Sequence, residues 1–139
     1  MFIWPEGVFY QSYLDDIKNY QSLFKEKFSK NHLIILGINN FTYNSANNKK
    51  YFNSLIVFNN KVEILSLYNK VHLVPFGEFL PLEKTLSKFG LKKITPGYSS
   101  FSAGNIRKVI NLGNKFNNKL ILPLICYEII YPGQIKKKK

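Results

Sequence analysis

Three polar residues follow apolar segments of the sequence in the same manner. Glu6 lies in "IWPEG", Lys70 in "YNKVHLVPFGE" and Cys126 in "LPLICYEI". Each position predicts the end of a strand, and strand ends of an α/β sheet are where ligands and catalytic groups gather. Each residue alone also fits an ordinary role, such as a small buried cysteine or a solvated lysine. Their shared placement predicts a common site.

A cysteine, a glutamate and a lysine form a workable set for acyl transfer. The thiolate is the nucleophile, so a base or a positive neighbour must help the thiol to lose its proton. A glutamate can accept that proton. A lysine ammonium can stabilise the oxyanion of a tetrahedral intermediate, together with the backbone N–H of Tyr127 after the nucleophile. The three residue types together are therefore compatible with acyl transfer, with the cysteine as nucleophile.

The segment "YNKVHLVPFGEFLP", residues 68–81, carries charged and ionisable residues into an apolar setting. Lys70, His72 and Glu78 are interleaved with valine, leucine and phenylalanine. A buried strand is nearly continuously apolar, and a half-buried strand alternates. Because an unpaired charge in such a setting is costly, we expect Lys70 and Glu78 to be functional. We interpret His72 as a structural histidine that pairs with a backbone carbonyl.

The elements that must position these residues alternate between strands and helices. "FIWPE" predicts a short strand, and apolar residues spaced three to four apart predict an amphipathic helix near residues 9–28. The next segments predict a strand ("HLIILGI"), a polar turn region ("NNFTYNSANNKK") and a hairpin ("YFNSLIVFNN" with "KVEILSLYN").

The second half of the chain continues the alternation. "PLEKTLSKFG" predicts a short helix and "KKITPGYSS" a loop, followed by weaker strand signals in "SFSAG" and "KVINLG". "KLILPLICYEII" is the strongest apolar run, and it predicts a strand that leads into a short helix after Cys126. The whole pattern predicts a layered α/β domain.

Length and composition limit the classes of function. The 139 residues suit one domain, and no apolar run approaches the ~20 residues of a membrane-spanning helix. The net charge of +12 is compatible with a basic protein that binds nucleic acid or anionic lipid. Arg107 is the only arginine, however, and arginine is the preferred reader of phosphates and bases, so we expect no nucleic-acid partner.

Metal and disulfide chemistry are not indicated by the sequence. One cysteine cannot form an internal disulfide, and it supplies too few thiolates for a structural zinc site. His32 and His72 lie far apart, with no second ligand at helical or strand spacing. We therefore expect no metal and no cofactor.

Three segments together carry a resemblance to a known family. In this order, "WPE", "YNKVHLVPFGEFLP" and "ICYEIIYP" resemble the catalytic segments of the nitrilase, or carbon–nitrogen hydrolase, superfamily. The middle segment is similar to that of the apolipoprotein N-acyltransferase branch. The resemblance implies an α/β fold, specifically a nitrilase-like αββα sandwich. Residues 1–135 would form part of one such catalytic domain, followed by a lysine tail at 136–139.

The resemblance also implies a role for each matching residue. Glu6 would be the general base, Lys70 the oxyanion stabiliser and Cys126 the nucleophile that becomes a thioester. Glu78 would orient the lysine and assist acyl transfer. The two residues after the nucleophile would contribute to substrate binding; they are Tyr127 and Glu128.

The implied reaction moves an acyl chain from a phospholipid, through the cysteine, to the N-terminal amine of a diacylglyceryl-cysteine lipoprotein. The complete enzyme would lie in the bacterial inner membrane with its catalytic domain on the periplasmic side. Family enzymes continue well beyond both ends of this sequence, so we expect a part of a longer enzyme that is inactive alone. Two alternatives stay open: a soluble amidase of the same superfamily, and a non-catalytic basic protein that binds a surface.

Overall fold

Two long antiparallel strands form the centre of the molecule. The computed structural model describes residues 1–82 and 100–131. Strand β3 (Leu33–Tyr43) pairs with β4 (Lys49–Asn59) without a break in register along the full length of both. Strand β5 (Ile64–Asn69) adds to β4, also antiparallel. The predicted hairpin of β4 and β5 is therefore confirmed.

The first strands pair in parallel with the other side of β3. Strand β1 (Phe2–Ile3) lies beside the start of β3, and β2 (Phe9–Tyr13) lies further along it. The prediction of one helix over residues 9–28 is wrong in its first half. A 3₁₀ helix covers Leu14–Tyr20, and the α-helix α1 covers only Gln21–Lys27.

Backbone bonding explains this difference. Aromatic residues such as those of β2 suit a pleated strand, and β3 offers β2 an unpaired side. The Asp16 carboxylate then accepts a hydrogen bond from the N–H of Tyr13 at 2.8 Å, which favours a helical turn immediately after the strand. A helical apolar spacing therefore does not exclude a strand when a sheet partner is present.

The Asn-rich turn between β3 and β4 is shorter than predicted. Both strands extend into the polar segment, which leaves a turn of only residues 44–48. The Asn44 side chain accepts hydrogen bonds from the N–H groups of Ala46 and Asn48 at 3.0 and 2.9 Å. Asparagine favours such turns because its side chain can replace a backbone partner.

The sheet is buried on both faces, as the continuous apolar character of "HLIILGI" indicates. One face packs against the helices in a cluster made of Ile17, Phe24, Ile34, Leu36, Ile38, Ile56, Phe58 and Val62. The other face packs against the C-terminal segments through Leu33, Ile35, Val57 and Leu112. Successive residues of β3 thus point to opposite layers, and the predicted layered α/β architecture is confirmed.

The C-terminal part is less regular than its apolar sequence suggests. Strand β6 (Ile110–Asn111) pairs with β7 (Leu120–Ile121). Only these two residues of β7, near the start of the strong apolar run, form a strand. Pro123 offers no N–H to a partner strand, and a 3₁₀ helix covers Cys126–Ile130. The prediction of a strand that leads directly to Cys126 is therefore wrong.

Other predictions meet the structure only in part. In "SFSAG" the structure shows a single bridge, from Phe101 to Tyr51. The predicted helix at residues 81–90, the loop at 92–100 and the lysine tail at 136–139 lie outside the described residues, apart from residues 81, 82 and 100.

Candidate active site

Lys70 begins the site, immediately after the last residue of β5. Its backbone N–H donates to the carbonyl of Asn53 at 2.8 Å, and its carbonyl accepts from the N–H of Gly104 at 2.8 Å. Gly104 allows this approach, because a Cβ at that position would overlap the carbonyl oxygen of Asn69. The backbone of Lys70 is therefore held from both sides, and its side chain is only 1% exposed.

The charge of Lys70 is paired with Glu78. Lys70 Nζ lies 2.8 Å from Glu78 Oε2, which also accepts the N–H of Val74 at 2.9 Å. The chain between them bends at Phe76, which has a φ of 62°. A buried ammonium is tolerated when a carboxylate and further hydrogen bonds compensate its lost hydration. The two charges that looked misplaced in the apolar segment thus form an ion pair.

Asn53 of β4 links this ion pair to Glu6. Its side-chain nitrogen Nδ2 donates to Glu78 Oε1 at 2.8 Å and to Glu6 Oε1 at 2.5 Å. Asn53 is itself buried. Three segments that are far apart in sequence are therefore joined by two carboxylates, an amide and an ammonium.

Glu6 lies in the turn after β1 and is exposed to solvent. The N–H of Trp4 bonds the carbonyl of Ile35 at 2.8 Å, which extends the contact of this segment with β3. A Cβ added at Gly37 would lie 3.1 Å from Glu6 Cα, so glycine permits the close passage of the turn. The strand end that was predicted to position Glu6 is present.

Cys126 is exposed and is the first residue of the C-terminal 3₁₀ helix. Its φ of 50° lies in the left-handed region. This conformation costs a residue with a side chain about 1–2 kcal/mol and persists only where the surroundings enforce it. The preceding residue, Ile125, is buried, so the chain turns outward at the thiol.

Glu128 ties the Cys126 turn to the segment that follows Lys70. Its side chain is fully buried. One oxygen, Oε2, accepts the N–H of Ile125 at 2.9 Å. The other, Oε1, accepts the N–H groups of Val71 at 3.0 Å and His72 at 3.1 Å. Cys126 is therefore connected to the Lys70 segment through a carboxylate two residues away.

Tyr68 and Arg107 complete the environment of Glu128. The Tyr68 hydroxyl donates to Glu128 Oε1 at 2.7 Å and accepts from Arg107 Nε at 3.2 Å, while Arg107 Nη2 lies 2.9 Å from the same carboxylate oxygen. Burial alone would raise the pKa of Glu128, but hydrogen bonds from Tyr68 and the three backbone N–H groups outweigh it and lower that pKa. Glu128 is therefore held as a carboxylate.

The pKa values of Tyr68 and Arg107, the two side-chain partners of Glu128, are both raised. Burial and the hydrogen bond to Glu128 raise the pKa of Tyr68 to about 12. Burial alone would lower the pKa of Arg107, but its bonds to Tyr68 and Glu128 outweigh that effect and raise it. The cluster therefore keeps a cation, a neutral phenol and an anion across the ordinary pH range.

The remaining predicted site residue, Tyr127, is 55% exposed beside the thiol. Nearby, the rings of His72 and Tyr131 lie 4.9 Å apart. Both border a pocket of about 380 Å³ whose other described lining residues are Val71, Leu73, Phe79, Phe101 and Ala103. An apolar pocket thus opens on the segment that follows Lys70.

The structure pairs Lys70 directly with Glu78 and links Glu6 to Glu78 through Asn53, and Glu128 connects the Cys126 turn to the segment after Lys70. Glu128 was predicted to bind substrate, but the engagement of both its oxygens within the protein favours a positioning role. Sequence reasoning missed Asn53, Tyr68 and Arg107. Asn53 gave a signal, since two adjacent polar residues interrupt the apolar strand "YFNSLIVF".

The described part of the chain was searched for groups of metal ligands and for membrane-spanning helices. Among residues 1–82 and 100–131, no three histidine, cysteine or acidic side chains are grouped as metal ligands would be. In the same ranges, no helix has the length and apolar character needed to cross a membrane.

The sequence and the fold agree with a known family. Residues 9–137 match the model of the carbon-nitrogen hydrolase family, so this chain belongs to that family. The matched range begins three residues after Glu6. The nitrilase-like α/β fold predicted from the sequence is confirmed.

Similar curated proteins narrow the resemblance within that family. An apolipoprotein N-acyltransferase of Rhizobium etli is 41% identical over 86 residues, which is 62% of this chain and 16% of the relative. One of Rhodopseudomonas palustris is 42% identical over 84 residues, covering 60% and 15%. The predicted resemblance to this branch is confirmed, and the chain spans about a sixth of the length of these relatives.

Solved structures support the fold alone. The NitN amidase from Neterenkonia sp. AN1 superimposes with a TM-score of 0.50 at 14% identity, covering 87% of this chain and 36% of the amidase. A glutamine-dependent NAD+ synthetase from Acinetobacter baumannii gives 0.52 at 19% identity, covering 96% and 22%.

Proposed function

We propose that this chain carries the catalytic segment of an acyltransferase that acts through a thioester on Cys126. The acyl donor is a phospholipid, and the acceptor is the N-terminal amine of a diacylglyceryl-cysteine lipoprotein. Similarity to relatives named apolipoprotein N-acyltransferase supports this choice within the family. The corresponding location is the bacterial inner membrane, with this segment on the periplasmic side.

One observation carries the proposal. The buried Lys70 is fixed by Glu78 and linked through Asn53 to Glu6, while Glu128 bonds the same segment to the turn of the exposed Cys126. A nucleophile, a carboxylate base and a fixed cation are therefore held by one set of contacts. Such preorganisation is what acyl transfer requires, because it removes the cost of arranging charges during the reaction.

In the first half-reaction, Cys126 attacks the ester carbonyl of the phospholipid while Glu6 accepts the thiol proton. The carbonyl oxygen becomes an oxyanion, which Lys70 Nζ and the N–H of Tyr127 stabilise. The intermediate collapses with cleavage of the carbon–oxygen bond, and Glu6 returns the proton to the departing lysophospholipid oxygen. The product is a thioester on Cys126.

In the second half-reaction, the acceptor amine attacks the thioester and passes a proton to Glu6. The same cation and N–H stabilise the second oxyanion. Its collapse breaks the carbon–sulfur bond, forms the amide and returns the proton to the Cys126 sulfur. Glu78 acts by holding the Lys70 ammonium in place, which its 2.8 Å contact permits.

A second candidate is hydrolysis of a carbon–nitrogen bond, with water as the acyl acceptor. The exposure of both Glu6 and Cys126 favours it, because water can reach the base and the thioester. The two candidates differ in the acyl donor, which is an ester in the first and an amide in the second, and in the acceptor that releases the acyl group from Cys126.

The test incubates the purified chain with a phospholipid and a diacylglyceryl peptide, followed by mass spectrometry. A thioester on Cys126 that forms from phospholipid or from a small activated fatty acyl ester, and is absent from Cys126→Ala, supports the first half-reaction of acyl transfer. Release of a free carboxylic acid from a small amide, offered in a parallel incubation and lost in Cys126→Ala, supports carbon–nitrogen hydrolysis. Absence of any acyl adduct from phospholipid and from the activated ester would contradict acyl transfer, and absence of acid released from the amide would contradict hydrolysis.

The same assay tests the prediction that the chain alone does not complete the transfer. We expect slow acylation of Cys126 by the activated ester and no triacylated peptide above the rate without protein. Triacylated peptide that forms faster than this, and is lost in Cys126→Ala, would contradict that prediction.

A further inference from the structure

The Glu128 carboxylate divides its two oxygens between two segments of the site. Oε2 accepts the N–H of Ile125, the residue before Cys126. Oε1 accepts the N–H groups of Val71 and His72, the residues after Lys70. One buried side chain thus bonds the backbone next to the proposed nucleophile and the backbone next to the proposed oxyanion stabiliser.

Arg107 supplies the charge that makes this arrangement stable. Its side chain is 7% exposed, that of Glu128 is fully buried, and Nη2 lies 2.9 Å from Oε1. Neither terminal nitrogen of Arg107 makes a hydrogen bond of good geometry within the described part of the chain. The contribution of these nitrogens is therefore mainly electrostatic, whereas Nε bonds the Tyr68 hydroxyl.

We propose that Arg107 and Glu128 form a positioning pair that fixes the Cys126 turn against the Lys70 segment. This inference rests on the proposed function for its chemical consequence. The pair touches neither substrate nor reacting atoms. It sets the separation between the nucleophile and the cation, on which stabilisation of the oxyanion depends.

The chemistry of the side chain explains why a carboxylate is needed. Two acceptor oxygens can each face backbone N–H donors. In Glu128→Gln, one acceptor becomes an NH₂ donor that must face an N–H group, so only one of the two segments remains bonded. The left-handed φ of Cys126 adds a second demand, because a strained residue persists only when its neighbours hold it.

The variants separate positioning from general stability. Glu128→Gln removes one acceptor, Arg107→Met removes the compensating charge, and Arg107→Lys restores a charge. Ile17→Ala is the matched control, since Ile17 is equally buried but lies in the cluster against the helices. All four proteins are compared with the unmodified chain at the same temperature and pH, on their folded fractions.

Two measurements are made on each protein. Hydrogen exchange followed by NMR reports the amides of Val71, His72 and Ile125 relative to amides of β3. Chemical reactivity of Cys126 is measured with iodoacetamide, which needs only the thiolate, and with an activated fatty acyl ester, which also needs the oxyanion stabiliser.

We expect Arg107→Met to exchange all three amides, and Glu128→Gln to exchange the amides of the segment that loses its acceptor, about tenfold faster relative to β3 amides than in the unmodified chain. Their acylation should fall by about tenfold or more while alkylation stays within about twofold, and Arg107→Lys should recover most of the acylation. Ile17→Ala should raise exchange throughout and leave the ratio of acylation to alkylation unchanged.

Other results overturn the inference. Exchange in Glu128→Gln that rises evenly, as in Ile17→Ala, would show a merely structural role. So would an unchanged ratio of acylation to alkylation in a chain that is acylated. If the unmodified chain is alkylated but never acylated, the proposed function fails, and the exchange of the three amides alone decides whether the pair holds both segments.

Discussion

The sheet core around β3 and β4 and the site beside β5 are held together by different interactions. In the core, apolar side chains alternate between two buried faces, and a continuous ladder fixes the register. At the site, polar side chains bond one another, as the buried Lys70 does with Glu78 and the buried Asn53 does with the exposed Glu6. Removing a side chain from the core lowers the free energy of unfolding because apolar burial is lost. Removing one from the site also disturbs the positions of the neighbouring polar groups.

The largest expected effect comes from removing the cation of the site. Lys70→Met should lower the rate of acylation of Cys126 by about 10²–10³-fold, because the oxyanion loses its fixed positive partner. It also leaves Glu78 without its ion pair, so some loss of stability is expected. The acylation rate with an activated ester, normalised to alkylation by iodoacetamide, is the measurement.

The matched control is Lys61→Met, which removes an exposed lysine from the loop between β4 and β5. It should leave both rates nearly unchanged. Equal losses in the two lysine variants would mean that net charge, and not the position of Lys70, determines acylation.

The core should show the opposite pattern. Phe58→Ala removes a fully buried ring that packs against Phe24, so the free energy of unfolding should fall by about 3–5 kcal/mol in urea titration. In the folded fraction, the ratio of acylation to alkylation at Cys126 should stay within about twofold. A change of this ratio as large as that in Lys70→Met would remove the distinction between core and site.

The pH dependence of stability should reveal the carboxylate that joins the two site segments. Hydrogen bonds lower the pKa of Glu128 in the folded state, so the unfolded chain binds its proton first as the pH falls. Its contribution is therefore full above the ordinary glutamate range and is lost as pH falls through the lower, folded pKa.

Comparison with Glu128→Gln isolates this contribution from those of other acidic residues. The difference in unfolding free energy between the two proteins should shrink as the pH is lowered below the ordinary glutamate range. A difference that is constant from neutral pH to acid pH would contradict the assignment.

The smallest expected effect tests the approach of the Glu6 turn to β3. Gly37→Ala places a Cβ 3.1 Å from Glu6 Cα, and the exposed turn can move by a few tenths of an ångström to accommodate it. We expect a change in stability of about 1 kcal/mol or less. Acylation should fall several-fold, because Glu6 moves relative to Asn53. An unchanged acylation rate would show that the position of Glu6 is not critical.

The core could be predicted from the sequence because the apolar patterns that encode its strands are local. The apolar run of β3 and the hairpin of β4 with β5 follow from short patterns. Residues 9–28 show the limit of such patterns, since pairing of Phe9–Tyr13 with β3 overrode the helical spacing. The strand predicted up to Cys126 ends at Ile121, and the N–H of Ile125 donates to Glu128 Oε2 and not to a partner strand.

The sequence marked the site most clearly where charged residues occur in an apolar segment. Lys70 and Glu78 stood out because such charges need compensation, and they compensate each other. Asn53 gave only a weak signal and Arg107 gave no signal of a site, because the partners of both residues lie more than 20 positions away. Bonds of this kind depend on the folded arrangement, and no local periodicity encodes them.

In the proposed function, the contacts that hold Lys70, Glu78, Glu6 and the Cys126 turn make Cys126 the acyl acceptor of the chain. The most direct measurement is peptide mapping by mass spectrometry after brief exposure to a limiting amount of activated fatty acyl ester. We expect an acyl group on Cys126 ahead of the lysines, which are all but one of the 20 basic residues. Acylation spread over exposed lysines, with Cys126 unmodified yet open to iodoacetamide, would contradict it.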